Sequence, residues 1–374
     1  MPTKTLISLI SDQTLPNFLF AKEKGEFDRY ILVSTNQMKV KGKDQALTQT
    51  LGIEHKAQTI WVTADSLEDI QQKLTLLRYT DDEAFVVNLT GGTKMMAIGV
   101  YNFFIRRNSR MYYVPIGQNN VIQVHPEVSQ KEKPLAYRTN LQEYLQAYQV
   151  EVEPQSFRKK NSLFQEPSMA AKIYQLNDDS YQFRKNWGEL RTWKAQQELK
   201  VRGYLDLSFH ELRWIKKNLD RLGYQPQRPN QLNKQECDYF SGQWLEEYMY
   251  VLLKNQLSLQ DENIGLNIKI NEDGSQRLQA GNEFDILFTR NNRLYVVECK
   301  TGVGGIKAFN DYAYKLAALK AFFGLGVKLC LFVRQPTRED KQDFYDKRSS
   351  LLNIHFFDGT SLQNTHQFIK NLIQ

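Results

Sequence analysis

Short apolar runs alternate with amphipathic stretches through the first part of the chain. Thr5 to Ile10, Tyr30 to Ser34, Thr59 to Thr63, Ala84 to Leu89 and Met111 to Pro115 have the length and composition of strands. Between them, Pro16 to Lys24, Gln37 to Leu51, Ser66 to Tyr79 and Thr93 to Arg107 read as helices. This alternation predicts a parallel sheet of the Rossmann-like, doubly wound α/β class. With strand order 3-2-1-4 the order reverses between the first and fourth strands, and a ligand is expected at their carboxyl ends. A strand at Val121 to His125 and a helix around Asn140 to Tyr148 complete a domain over residues 1–150.

The pattern changes after a connector, 151–230, that ends in a break at Pro226 to Pro229. Over 231–374, a helical segment from Gly242 to Leu253 carries Glu246 and Glu247 inside an apolar, aromatic frame. Glu283 to Lys300 then reads as two strands and a turn, because Asn291-Asn292 tolerates the positive φ of a type I′ loop. With those two residues as the loop, Asp285 falls opposite Glu298 and Glu283 opposite Lys300. Period-two alternation puts these four on one face and Phe284, Ile286, Val297 and Cys299 on the other. A flexible Gly302 to Gly305 loop follows, then a helix from Asn310 to Phe323 with Lys315 and Lys320. Strands at Val327 to Val333 and Asn353 to Phe357 and a last helix from Ser361 to Ile373 make a mixed sheet flanked by helices.

Opposed carboxylates repel unless a cation sits between them. A hard divalent metal is the simplest such cation, and Lys300 stands one pleat away, able to face an attacking water or a phosphate. The plainer alternative is a solvated hairpin face with a Glu283/Lys300 ion pair. In the first domain the distinctive loops follow the first and fourth strands: Ser11 to Asn17, and Asn88 to Met96. Gly91-Gly92 permits close backbone approach, while Thr93 and Lys94 open a helix whose free N–H groups attract anions. That is a phosphate or nucleotide site on physical grounds, or else a glycine turn capped by Thr93. There is no GxxxxGK[ST] and no GxGxxG, which disfavours an ATPase or a dehydrogenase.

Two resemblances sharpen this. The Gly242-x-x-Leu245-Glu246 helix, then Asp285, then Glu298-x-Lys300 resembles the PD-(D/E)xK nuclease core, in its Mrr-like and Holliday-resolvase-like branches. It implies Glu246, Asp285 and Glu298 as ligands of Mg or Mn, with Lys300 as the fourth catalytic residue. Glu247 competes with Glu246 for the helix role, and Glu283-Phe284 stands where the family often has Pro. The first strand with Ser11-x-x-Thr14, joined to Gly91-Gly92-Thr93-Lys94 after the fourth, is similar to the CARF domain of CRISPR-associated proteins. The whole chain resembles CRISPR ancillary nucleases in which one CARF domain precedes one PD-(D/E)xK domain. That resemblance implies a homodimer binding a cyclic oligoadenylate, most often the tetra-adenylate, through Ser11, Gln13, Thr14, Thr90, Gly91, Gly92, Thr93 and Lys94. It further implies weakly specific cleavage of DNA, RNA or both in type III CRISPR antiviral defence.

Composition is consistent with these readings. In 374 residues, apolar content of 41% and aromatic content of 12% argue for packed domains rather than disorder. A net charge of +7 suits a polyanionic partner. The three cysteines form no CxxC, and the five histidines form no HExxH, so disulfide and zinc-hydrolase frameworks have no support. We expect a soluble, cytoplasmic protein. Basic and aromatic residues mix in the connector at Arg158-Lys159-Lys160, Arg184 to Trp187 and Arg191 to Lys194. They read more readily as helices with aromatics packed inward than as a nucleic-acid surface. Two other function classes stay open: a ligand-independent repair or restriction endonuclease, and a non-catalytic nucleotide-responsive binding protein.

Overall fold

A computed structural model describes residues 3–152, 168–179, 187–269, 283–334, 339–359 and 362–372. The first sheet contains β1 (Lys4–Leu9), β2 (Arg29–Ser34), β3 (Ala57–Trp61), β4 (Ala84–Asn88), β5 (Ser109–Tyr113), β6 (Asn120–His125) and β7 (Glu132–Pro134). Its order is β3-β2-β1-β4-β5-β6-β7, so the expected reversal between the first and fourth strands is present. The first five strands pair in parallel, and β6 and β7 add antiparallel. Parallel strands buried on both faces need continuous apolar runs: Ile7, Leu9, Ile31 and Val33 fill the core on one face, and Leu6, Tyr30 and Leu32 the core on the other. The segment expected as one helix from Gln37 to Leu51 is two, Asn36–Val40 and Lys43–Leu51, separated at Lys41-Gly42.

A short antiparallel pair joins β8 (Tyr204–Asp206) of the connector to β9 (Gln231–Asn233) just after it. There Trp187 packs inward, its ring stacked on Phe240 at 5.0 Å between centroids. Arg158-Lys159-Lys160 and Arg184 to Asn186 lie outside the described residues.

The second sheet orders β10 (Ile264–Lys269), β11 (Glu283–Arg290), β12 (Arg293–Lys300), β13 (Lys328–Val333) and β14 (Ile354–Asp358) in sequence. Its first three strands are antiparallel and its last three parallel. The hairpin has the expected register, from Ile286↔Val297 to Arg290↔Arg293. Asn291 and Asn292 take φ of 49° and 58°, as a type I′ loop requires.

The face assignment is corrected in part. Ile286, Val297 and Cys299 enter the core beneath the helix Trp244–Leu257, but Phe284 packs into the other core, against Phe323. Beside Asp285, β10 is interrupted at Asn267, whose φ is 53°; Leu266↔Ile286 and Ile268↔Phe284 flank the interruption. Both faces of the sheet are therefore apolar, and the charges gather at one end.

One core runs through both halves of the chain. Phe18, Phe20, Tyr112 and Tyr144 share it with Phe284, Leu287, Val296, Phe309 and Leu329. Hydrogen bonds stitch the same seam: Tyr144 donates to the Phe323 carbonyl at 2.9 Å, and Thr139 N–H donates to Asn292 Oδ1 at 2.8 Å. Asn292 Nδ2 in turn donates to the Tyr137 carbonyl at 2.9 Å. Cys237, Cys299 and Cys330 are buried free thiols, and no described helix is long and apolar enough to cross a membrane.

Asn292 thus closes the hairpin and joins the two halves. Asn292→Gly keeps the turn but strands the Thr139 and Tyr137 groups, and should cost about 1–3 kcal/mol in urea unfolding. Asn292→Ala should cost about 1 kcal/mol more, because it adds left-handed strain.

Candidate active site

The helix Trp244–Leu257 crosses the sheet face beside the carboxyl end of β12, after a π-helical turn at Tyr239–Gln243. Such turns are rare and frequent at functional sites. The helix places its two glutamates in different surroundings. Glu247 is 7% exposed and accepts a 2.7 Å hydrogen bond from Tyr239 Oη, so it belongs to the packing beneath. Glu246 is half-buried on the other side, with no hydrogen bond or ion pair to any described residue.

Asp285, Glu298 and Lys300 meet it from the hairpin. Where the β11–β12 ladder ends, Asp285 Oδ2 accepts the Cys299 N–H at 2.7 Å. Lys300 Nζ lies 2.6 Å from Glu298 Oε1 and 3.4 Å from Asp285 Oδ2. The expected Glu283/Lys300 pairing is replaced, because Glu283 reaches Lys269 on β10 at 3.8 Å. Burial and then the charge of Asp285 push the Glu246 carboxyl well above the ordinary carboxylate range. Asp285 is pushed up by burial and then by Glu298. Burial pulls Lys300 down, but Asp285 and Glu298 outweigh it and hold the ammonium above its ordinary value. At these separations of 2.6 and 3.4 Å and an effective dielectric of about 20, each attraction is on the order of 5–6 kcal/mol before desolvation is counted.

The donor set fits a hard divalent cation. It offers three carboxylates, one of them without a partner, and an excess of negative charge in a half-buried place. As they stand, no three His, Cys, Asp or Glu side chains among the described residues are drawn together as a ligand set. The Lys300 ammonium bridges two of the carboxylates instead.

At the carboxyl ends of β1 and β4 the two predicted loops meet. Asn88 Nδ2 donates to Asn17 Oδ1 at 2.7 Å, and Asn17 Nδ2 to the Leu9 carbonyl at 2.8 Å. Gly91 lies so close to β1 that a Cβ there would collide with the Leu9 carbonyl. Thr93 caps the helix Lys94–Phe104 through Met96 N–H at 3.2 Å, so the turn-and-cap reading holds as well. Ser11, Gln13, Thr90, Gly91, Gly92, Thr93 and exposed Lys94 are gathered here. Thr14 differs: it is 1% exposed, and its hydroxyl has no partner among the described residues.

Residues 5–144 match the family model for the Card1 CARF domain, and residues 233–349 match that for the Card1-like endonuclease domain. The chain thus joins a Card1-type CARF domain to a Card1-like endonuclease domain. It is similar to the structure of Can2 from Sulfobacillus thermosulfidooxidans in complex with cyclic tetra-adenylate, at 22% identity, 99% coverage of both chains and TM-score 0.73. Protein VC1899 from Vibrio cholerae is similar at 17% identity, over 99% of this chain and 98% of that one, with TM-score 0.76. A type III CRISPR defence DNA nuclease activated by cyclic oligoadenylate matches at 17% identity over 90% of this chain and 46% of that one, TM-score 0.56. At these identities the likeness is one of fold. A comparison with curated proteins finds no match.

Two contacts of this CARF–endonuclease chain escaped the sequence reading. Arg191, from the connector, donates to the Ser241 carbonyl and lies across Gly242, where any Cβ would meet its guanidinium. Burial lowers its pKa while Tyr312 and Glu246 oppose that, which places a permanent cation at the edge of the carboxylate cluster. Gln13 Oε1, in the CARF loop, accepts the Leu325 N–H of the endonuclease domain at 3.0 Å and the Tyr148 hydroxyl at 3.3 Å. The only sequence signals were a basic-aromatic cluster and a lone Gly, neither of which names a distant partner.

Glu247→Ala removes the buried acceptor of the Tyr239 hydroxyl's 2.7 Å bond and should destabilise the protein by about 1–3 kcal/mol in denaturant unfolding. Glu246→Ala removes a partnerless, repelled carboxylate and should leave stability within about 0.5 kcal/mol or raise it. The reverse order of the two losses would overturn the assignment of their faces.

Proposed function

We propose that this chain is a metal-dependent nuclease, switched on by a cyclic oligoadenylate at its CARF loops, that cleaves phosphodiester bonds of DNA, RNA or both. The tetra-adenylate is the leading activator, and Ser11, Gln13, Thr14, Thr90 and Gly91 to Lys94 form its site across a homodimer. Its setting is the cytoplasm, in antiviral defence downstream of a type III CRISPR complex. The observation that carries the reading is Glu246, partnerless and facing Asp285, Glu298 and Lys300, in a chain whose halves match a CARF model and an endonuclease model.

Glu246, Asp285 and Glu298 would hold Mg or Mn, which supplies an acidified water and a counter-charge for the phosphate. The remaining chemistry belongs to the side chains. Asp285 is aimed by the Cys299 N–H, so its free oxygen keeps one direction. Lys300, released from Asp285, donates to the non-bridging oxygen on which charge grows as the phosphorus becomes five-coordinate. Arg191 meets a phosphate of the same strand from the connector side. Gln13 gives the ligand loop a direct hold on the endonuclease turn at Leu325. Ligand binding that draws on the Gln13 amide therefore changes the seam.

Cleavage of single-stranded RNA, single-stranded DNA and supercoiled plasmid with Mn, with and without cyclic tetra-adenylate, tests the reading. Activity should require the ligand, and Glu298→Ala should lose more than the 10–100-fold typical of an outer-shell partner of a metal ligand. Cleavage indifferent to the ligand would remove the sensor; ligand binding with no cleavage of any substrate would remove the nuclease. In the same assay Arg191→Ala should lower kcat/KM by about 10-fold or more, with ligand affinity unchanged.

A further inference from the structure

A cavity of about 670 Å³ lies far from the carboxylates, at the amino ends of β12, β13 and β14. Lys328 opens β13 opposite Tyr295, five residues before Lys300, so along β12 the two sites stand about 16 Å apart. The cavity abuts the CARF domain at Gly117 and the endonuclease turn at Leu325-Gly326. None of the loop residues Ser11 to Thr14 or Thr90 to Lys94 lines it.

Its lining is cationic. Arg293, Lys320, Lys328 and His355 face one acid, Asp346, which is exposed and accepts from Gln342. Lys320 donates only to the Leu352 carbonyl, at 3.3 Å, and Lys328 makes no hydrogen bond or ion pair to any described residue. Ser349 is 3% exposed, lines the same space, and its hydroxyl has no partner among the described residues. Burial and then Lys328 lower the Lys320 ammonium; burial, Lys328 and Lys320 lower the His355 imidazole. Lys320 and Lys328 thus repel each other, and exposed Asp346 is the one acid among the described residues that line the cavity. Apolar Leu325, Val327, Ile354 and Phe356 also line the wall, a surface suited to a base or sugar. The volume falls in the range of about 300–1,000 Å³ usual for small-molecule sites.

We propose that this cavity is a second anion site, at the CARF–endonuclease seam, that takes a phosphate-bearing ligand of nucleotide size. Two ammonium groups, a guanidinium and an unpaired hydroxyl converge there, and a phosphate carries enough acceptor oxygens to meet several of them at once. The phosphate comes either from a free nucleotide or from the end of a nucleic-acid strand. The site stands independently of the catalytic reading.

Calorimetric titration of the full chain with pyrophosphate, ATP, and a dinucleotide with and without a 5′-phosphate tests it. The wild type and Lys320→Gln/Lys328→Gln are compared, with Lys315→Gln as an exposed-lysine control and thermal melts to check folding. Phosphate-dependent binding that weakens about 10-fold or more, roughly 1.4 kcal/mol, in the double variant and holds in the control supports the site. Binding of ATP without the phosphorylated dinucleotide assigns it to free nucleotides, and binding of that dinucleotide assigns it to strand ends. Absence of binding at about 1 mM, or equal affinity in the double variant, would overturn the proposal. Should the double variant fail to fold, the wild type still decides. ATP must slow acylation of Lys320 and Lys328 but not of Lys315, and equal rates sink the idea.

Discussion

Where β11 and β12 part, three carboxylates and one ammonium share a half-buried corner, and the sums of their charges do not cancel. Much of the endonuclease half is arranged around tolerating this. The Asn291-Asn292 turn fixes the register that brings Asp285 and Glu298 to the same end of the hairpin. The sheet packs apolar side chains into a core on each face, and the charges sit at one end of it. Asp285 is steadied by a backbone N–H, and Lys300 by two of the carboxylates. Glu246 has no such support from the described residues, which makes it the group with most to gain from a bound cation.

The features legible in the sequence were local ones. Strand alternation, the β1–β4 reversal and the hairpin register depend on period, turn chemistry and chain order, and each appears as expected. The carboxylates were legible because their spacing along two paired strands fixes their placement. What failed to appear was conditional on neighbours outside the local pattern. Phe284 lies in the opposite core beside the irregular backbone at Asn267, and Glu283 pairs with Lys269 on β10 rather than with Lys300. A single helix became two at Lys41-Gly42. Glu246 and Glu247 were separable only once Tyr239 was seen to reach Glu247 across a π-helical turn.

The longest-range contacts were the least legible. Arg191 is 55 residues before Glu246, and Gln13 lies 312 residues from Leu325, separations at which a sequence pattern carries no pairing information. Buried Arg334 belongs with them: it donates to the Gly359 carbonyl at 2.7 Å and stacks on Tyr174 of the connector, 4.1 Å from the ring centre. Each of these residues ties one part of the chain to another, and each would pass for an ordinary surface residue in a strand-and-helix reading.

The common core has a bearing on how such proteins can be rearranged. Phe18, Tyr112 and Tyr144 of the CARF domain are buried together with Phe284, Leu287 and Val296 of the endonuclease domain in one hydrophobic core. Cutting the chain between the halves would expose a contiguous apolar surface on each fragment and invite aggregation. Exchanging sensors between relatives would therefore demand that the seam residues travel with the sensor.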